Sequence, residues 1–344
     1  MKTEKKLSDR KNDHIRINLK KDIRSGYTTG LEEFALEHSA LPEINLEDVT
    51  TACTFLGKSL SFPLMISSMT GGNTESGKIN RHLAEAAQDQ GVALGLGSQR
   101  AMLEQPGMSS TFQVRKYAKN IPIFGNIGAV QFNYGLTLDD CIRLVDAVQA
   151  DALIVHLNPL QEALQPEGDT NFSGLLRNIE SLCKKADFPV IVKEVGWGLS
   201  KEVAHKLINA GVSALDVAGA GGTSWSQVEA NRISDKHLQR IAFEFREWGI
   251  PTAKTILQVR EINKGIPLIA SGGIKTGIDM AKCIVLGADI CGMAGRLLKA
   301  ATISSQETID EIIEIKHQMR IAMFSTSSPN IKTLRSKKII QVKA

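Results

Sequence analysis

Aromatic residues are scarce in this 344-residue chain, at 5%, and no basic helical face interleaves with the few present. A surface that stacks bases while gripping phosphates is therefore not expected, and nucleic acid is excluded as a partner. No apolar run approaches the roughly 18–20 residues that span a bilayer. The lysine-rich start has no apolar segment of the secretory kind. A cytoplasmic protein with no membrane partner is the expectation. Cys53, Cys141, Cys183, Cys283 and Cys291 form no CxxC pair, have no histidine at zinc spacing and are odd in number. They read as buried free thiols.

The net charge of +4 is unevenly spread. Residues 1–24 carry nine bases and four acids, residues 331–344 five bases and no acid, leaving 27 bases against 33 acids between them. Basic arms on an acidic body suit closure over a phosphorylated small molecule.

The 42% hydrophobic content allows one large α/β barrel or two smaller domains. Eight short apolar runs recur: residues 63–70, 92–98, 121–127, 151–158, 189–196, 214–219, 267–273 and 288–295. Their lack of strict alternation fits strands covered on both faces, as in a parallel sheet. Between them, TLDDCIRLVDAVQA offers Thr137 as N-cap with Asp140 three residues on, and a stripe of Leu138, Ile142, Val145 and Val148. LSKEVAHKLINAG places Val203, Leu207 and Ile208 together and ends at Gly211. Eight strand–helix units predict a closed (β/α)8 TIM barrel rather than an open sheet. The whole chain, 1–344, is expected to be one domain: an extension over 1–62, the barrel over 63–303 and a final helix and tail over 304–344. That helix should turn Ile309, Ile312, Ile313 and Met319 inward, and the tail from Ser325 should fray unless docked. The extension and the long segment between strands six and seven are expected to build lids and subunit contacts at the mouth.

Polar residues at the C-terminal ends of barrel strands take functional priority. Two glycine turns, SGGIKTG (271–277) and MAG (293–295), follow the last two strands, where barrels commonly bind phosphate. GAGGTSW (219–225) adds a loop with a hydroxyl at Thr223. A phosphate-tailed cofactor such as FMN fits the set. Lys193 at a strand end has three readings: a Schiff-base nucleophile, a partner of Glu194, or a cation beside a flavin's N1 and O2 edge. HLNPLQE puts His156, Asn158, Gln161 and Glu162 at one strand end, turned back by Pro159. That is too sparse for structural zinc and suits Mg2+, which takes one or two carboxylates and lets substrate phosphates complete its shell. DRKNDHI offers Arg10, Lys11 and His14 as a diphosphate clamp.

Taken together, RKxDH (Arg10, Lys11, Asp13, His14), SMTGG, GSQR, GNIGA, HLNPLQE, KEVGWG, GAGGTSW, SGGIKTG and the MAG turn resemble the type 2, FMN-dependent isopentenyl-diphosphate isomerase family over most of the chain. The resemblance implies interconversion of isopentenyl and dimethylallyl diphosphate, with NADPH as reductant and a homo-oligomer, tetramer or octamer. It implies flavin contacts from Ser68, Met69, Thr70, Ser98, Asn126, Lys193 and Thr223, with Gly272, Gly273, Lys275, Ala294 and Gly295 around the FMN phosphate. Substrate contacts fall to Arg10, Lys11, Ser98, Gln99, Arg100, His156, Asn158 and Gln161, and the Mg2+ ligand to Glu162. Gln161, His156 and Lys193 are the catalytic candidates. One departure is Ala218, where many members carry serine. Two competing readings are an FMN-dependent 2-hydroxy-acid oxidase and a non-catalytic flavin- or phosphate-binding protein. The first wants a strand-end histidine base with a nearby arginine, where this chain has Lys193 and GGTSW. The second has no need of Gln161, Glu162 and the clamp together.

Overall fold

The computed structural model describes residues 13–104 and 106–342; Arg10 and Lys11 lie outside them. Eight parallel strands close into a barrel: β1 (Leu64–Ile66), β2 (Ala93–Gly95), β3 (Ile123–Gly128), β4 (Ala152–His156), β5 (Val190–Lys193), β6 (Ala214–Asp216), β7 (Leu268–Ser271) and β8 (Ile290–Met293), with β8 pairing back to β1. Each arises from one of the eight apolar runs, because both faces of every strand are buried. Met65, Phe124, Ile154, Ile191, Ile269 and Ile290 form an interior cluster, while their neighbours Leu64, Ile66, Leu153, Val155, Val190 and Val192 pack outward against the helices.

Part of the N-terminal extension goes to the end opposite the mouth. The hairpin of Cys53–Phe55 and Lys58–Leu60 sends Phe55 and Leu60 into the interior cluster, Phe55 lying 6.4 Å from Phe124 between ring centroids. Among the described residues of the extension, His14, Ile15, Asn18 and Arg24 line the mouth, where Arg24 bridges to Thr223. The described extension thus divides between the mouth and a plug at the far end of the barrel.

Two matching clasps fasten the N-terminal rim. Arg115 donates from Nη1 to the carbonyls of Ala118 and Ile121, from Nε to Gln149 and from Nη2 to Asp151, which also accepts the Ile123 N–H at 2.9 Å. Arg260 repeats this with Asn263, Ile266, Gly287 and Asp289, and Asp289 accepts the Leu268 N–H at 2.8 Å. A second cation completes each, Lys58 at 2.7 Å from Asp151 and Arg335 at 2.9 Å from Asp289. Burial alone would raise the Asp151 carboxyl, but Lys58, the Ile123 N–H and Arg115 hold it below the usual range.

Helix Leu138–Val148 begins with the expected capping box of Thr137 and Asp140. Its buried stripe is Cys141, Leu144, Val145 and Val148; Leu138 and Ile142 sit at its edges. In helix Lys201–Asn209 the buried pair is Ala204 and Leu207, and Val203 is exposed. Gly211 follows with φ 87°. Helix Ser305–Phe324 buries Thr308, Ile312, Ile315, Met319 and Met323, and Ile309 packs half-buried against the core, so of the expected inward set Ile313 lies off the inner face. The tail is docked: Thr50 N–H donates to the Pro329 carbonyl, helix Ile331–Arg335 buries Ile331 and Leu334, and Ile339–Gln341 pairs antiparallel with Phe34–Leu36. The five cysteines are free, with Cys53 and Cys183 half-buried, and burial pushes the Cys141 thiol up to about 12. Among the described residues no helix is long and apolar enough to cross a membrane.

Candidate active site

The strand ends open on one cavity of about 930 Å3, within the range that holds a sizeable cofactor and substrate. Every proposed site residue among the described ones lines it except Gln99. Gln99 is wholly buried and turned the other way. Its Oε1 accepts the Asn126 N–H at 2.9 Å, and its Nε2 donates to the Leu144 carbonyl at 3.0 Å. It braces β3 and does not line the cavity, unlike Ser98 and Arg100 on either side of it in GSQR.

One side of the cavity is rich in unspent polar atoms. The hydroxyls of Ser67, Ser68 and Thr70 are buried with no hydrogen-bond partner among the described residues. Buried polar groups are normally paired, so orphans clustered on one wall mark where a polar ligand belongs. The glycine turns after β6, β7 and β8 line the same cavity, with β8 pairing directly to β1 beside these hydroxyls. Gly273 has φ 75°, and a Cβ there would meet the Gly221 carbonyl oxygen at 2.4 Å, so two loops meet backbone to backbone. Beside them Gly272, Lys275, Ala294 and Gly295 line the cavity, and a Cβ on Gly295 would meet nothing within 4 Å. A planar ring with a phosphate tail fits this set of hydroxyls and bare backbone.

Lys193 ends β5 and is buried. Its ion partner is Asp216 on β6, with Nζ and Oδ2 3.5 Å apart, and not Glu194. Glu194 points away, its Oε2 accepting the N–H groups of Val195, Gly196, Trp197 and Gly198 at 2.5–3.2 Å. Burial nevertheless pushes its carboxyl up to about 7 against those donors.

The second wall is the HLNPLQE segment, which becomes helix Pro159–Leu164 with proline in its first turn. That single turn brings Gln161 and Glu162 onto the same face as His156 and Asn158. Asn158 Nδ2 donates to Glu162 Oε1 at 2.8 Å and to Gln161 Oε1 at 3.2 Å, leaving Asn158 Oδ1 buried without a partner among the described residues. Glu162 Oε2 accepts the Asp169 N–H at 2.8 Å. Gly168 permits this approach, since a Cβ there would strike the Glu162 carbonyl oxygen at 1.9 Å. The Asp169 carboxylate in turn holds Arg100 at 2.6 Å and Gln131 at 3.0 Å. His156 Nδ1 sits 2.9 Å from Asn126 Oδ1. Among the described residues no three His, Cys, Asp or Glu side chains gather to cage a metal. One carboxylate with amides beside it fits an ion that arrives with its own phosphate ligands.

Two site residues carried weaker signals. Asp216 is a carboxylate within an apolar run, which must be paired wherever it is buried. Glu229 had no signal: on helix Trp225–Ala230, three residues before Arg232, it reads as a surface ion pair. It is wholly buried, accepting from Gln161 Nε2 at 3.0 Å, His14 Nε2 at 3.1 Å and Arg232. Burial would raise its carboxyl, but His14, Arg232 and Gln161 together hold it at about 2. His14 also meets the edge of Trp225 at 5.1 Å, so it reaches the mouth as the clamp reading expected, facing a carboxylate.

The chain is similar to known proteins over nearly its full length. The FMN-dependent dehydrogenase family pattern matches residues 156–341. Proteins named isopentenyl-diphosphate delta-isomerase from Rickettsia africae and Rickettsia felis are each 53% identical over 331 residues, 96% of this chain and 97% and 96% of theirs. That of Rickettsia prowazekii is 51% identical over 332 residues. A mandelate oxidase structure superposes with a TM-score of 0.70 at 17% identity, covering 99% of both chains. A lactate oxidase structure from Pediococcus acidilactici does so at 0.68 and 13%, covering 96% of this chain and 87% of that one; at these identities the likeness concerns the fold alone. The chain belongs to the type 2 isopentenyl-diphosphate delta-isomerase family, on the barrel shared by the FMN-dependent dehydrogenases.

Proposed function

We propose that this protein interconverts isopentenyl diphosphate and dimethylallyl diphosphate, using FMN and Mg2+. The observation that supports it most is that Lys193, His156, Gln161 and Glu162 share one cavity with a wall of unpaired hydroxyls and glycine turns.

Moving the double bond needs a proton delivered to the terminal alkene carbon and another taken from C2. Neither site is acidic enough for an ordinary side-chain base alone. Reduced FMN, when bound, supplies an acid–base centre at N5 and an electron-rich ring that steadies positive charge on the tertiary carbon. Ser68, Met69, Thr70, Ser98, Asn126 and Thr223 would hold the ring and chain, with Gly272, Gly273, Lys275, Ala294 and Gly295 around the phosphate. Lys193 presents a cation to the same wall. Gln161, fixed between Asn158 and Glu229, orients the alkene or passes it a proton, and His156 is steadied by Asn126. Glu162 would hold Mg2+, which shares the diphosphate with Arg100, Asn158 and, from outside the described residues, Arg10 and Lys11. Such a metal tethers the substrate without touching the reacting carbons.

The terminal carbon gains a hydrogen and C2 loses one, so the conversion is redox-neutral for the whole molecule and consumes no reductant; NADPH is needed only to bring the flavin to its reduced form. Assaying the purified protein anaerobically with dithionite or NADPH should give isomerase activity, and the oxidised protein none. Full turnover under air without reductant would refute the reading. We also infer a cytoplasmic homo-oligomer, a tetramer or octamer; the exposed Leu238, Ile241, Phe243 and Trp248 on the segment between β6 and β7 support self-association.

A further inference from the structure

Asp216 ends β6 with its side chain wholly buried. Parallel register sets Lys193 of β5 beside it and, on the other flank, Ile269 of β7, two residues before Ser271. Its oxygens are used differently. Oδ1 accepts the Ser271 hydroxyl at 2.5 Å and the Ala218 N–H at 3.3 Å. Oδ2 lies 3.5 Å from Lys193 Nζ, an ion-pair distance without hydrogen-bond geometry, and has no other partner among the described residues. Lys193, Ser271 and Ala218 all line the cavity, whereas Asp216 sits behind them.

That placement decides what each neighbour shows the cavity. The Ser271 proton is committed to Asp216, so its hydroxyl offers lone pairs outward. The Lys193 ammonium is held by charge alone and makes no hydrogen bond among the described residues, which leaves its donors for a bound group. Ala218 is kept at φ 36°, unusual for a residue with a Cβ, by the same carboxylate. The local field is that of a cation with an anion close behind it, weaker than a lone lysine would give.

We propose that Asp216, lying behind Lys193 at the cavity floor, sets together with that cation the charge that a bound flavin ring meets there. This rests on the FMN reading above. A ring that gains electron density on reduction is favoured by the cation and opposed by the carboxylate, so removing the carboxylate's charge alone makes reduction easier.

The test is an equilibrium redox titration of FMN-loaded Asp216→Asn against a reference dye. The expected midpoint is more positive, with the reduced-to-oxidised ratio at a fixed poise raised at least tenfold, about 30 mV for a two-electron couple. A midpoint that is unmoved or more negative, in a variant that binds FMN, overturns the proposal. If the unaltered protein binds no FMN, the flavin reading fails first and this one with it. Should Asp216→Asn not fold, Lys193→Met with Asp216→Asn leaves no buried charge unpaired and is compared with Lys193→Met alone. A more positive midpoint in the double variant supports the proposal, and equal midpoints overturn it.

Discussion

Gln161 Nε2 donates to Glu229 Oε1 across 3.0 Å, joining the strand-end helix of β4 to the long segment after β6. Glu229 is held ionised by His14 and Arg232 as well, so the carboxamide has one stable orientation: its nitrogen faces Glu229 and its oxygen faces Asn158. Removing the side chain should reach the chemistry without disturbing the flavin wall. Gln161→Ala is expected to lower kcat by roughly 10²–10⁴, the usual range for loss of a proton-handling group, with FMN stoichiometry unchanged. Equal loss of both would show that Gln161 is structural.

Asn158 touches Glu162 at 2.8 Å and fixes which lone pairs the carboxylate turns to the cavity. Losing a group that orients a metal ligand commonly costs about 10–100-fold in metal affinity. In Asn158→Ala the Mg2+ concentration for half-activation should rise by that factor while saturating Mg2+ restores much of the rate. Unchanged Mg2+ dependence would remove Glu162 from the metal site.

Glu194 has a carboxyl raised to about 7 by burial, from an ordinary value near 4.5. A raised folded-state value means the folded protein binds the proton more tightly than the unfolded chain. The stability this gives is complete below pH 4.5 and is lost as pH rises through about 7. Urea midpoints of Glu194→Gln, which keeps an acceptor for the four N–H groups, should therefore flatten across that window relative to the unaltered protein. Parallel pH profiles would contradict the assignment.

The Arg115–Asp151 clasp lies at the end of the barrel away from the cavity. Asp151→Ala strips a partly buried arginine and the Ile123 N–H of their acceptor, at about 1.5–3 kcal/mol for such charge-assisted bonds. The denaturant midpoint should fall while KM stays put, and Asp289→Ala should behave alike. A selective change in KM would argue against a purely structural role.

The strands were legible because burial on both faces leaves an uninterrupted apolar run, and nothing else in the chain imitates it eight times. Helix faces were less so. A small residue such as Ala204 fits against the barrel where the larger Val203 was expected, and apolar spacing alone does not decide between Ile313 and Ile315. At the site, the motifs located the strand ends but not the direction of each side chain: Ser98 and Arg100 face the cavity while Gln99 between them faces away. Glu229 was hidden because a Glu three residues before an Arg has the same spelling on a surface as in a core.

Because Phe55 and Leu60 stop the far end of the barrel, the approach to Lys193 among the described residues is the cavity at the strand ends. Whatever binds deepest must board first and leave last. A hydride donor and the alkene substrate would then queue for the same passage, so excess substrate should slow the re-reduction of an enzyme that has been allowed to oxidise.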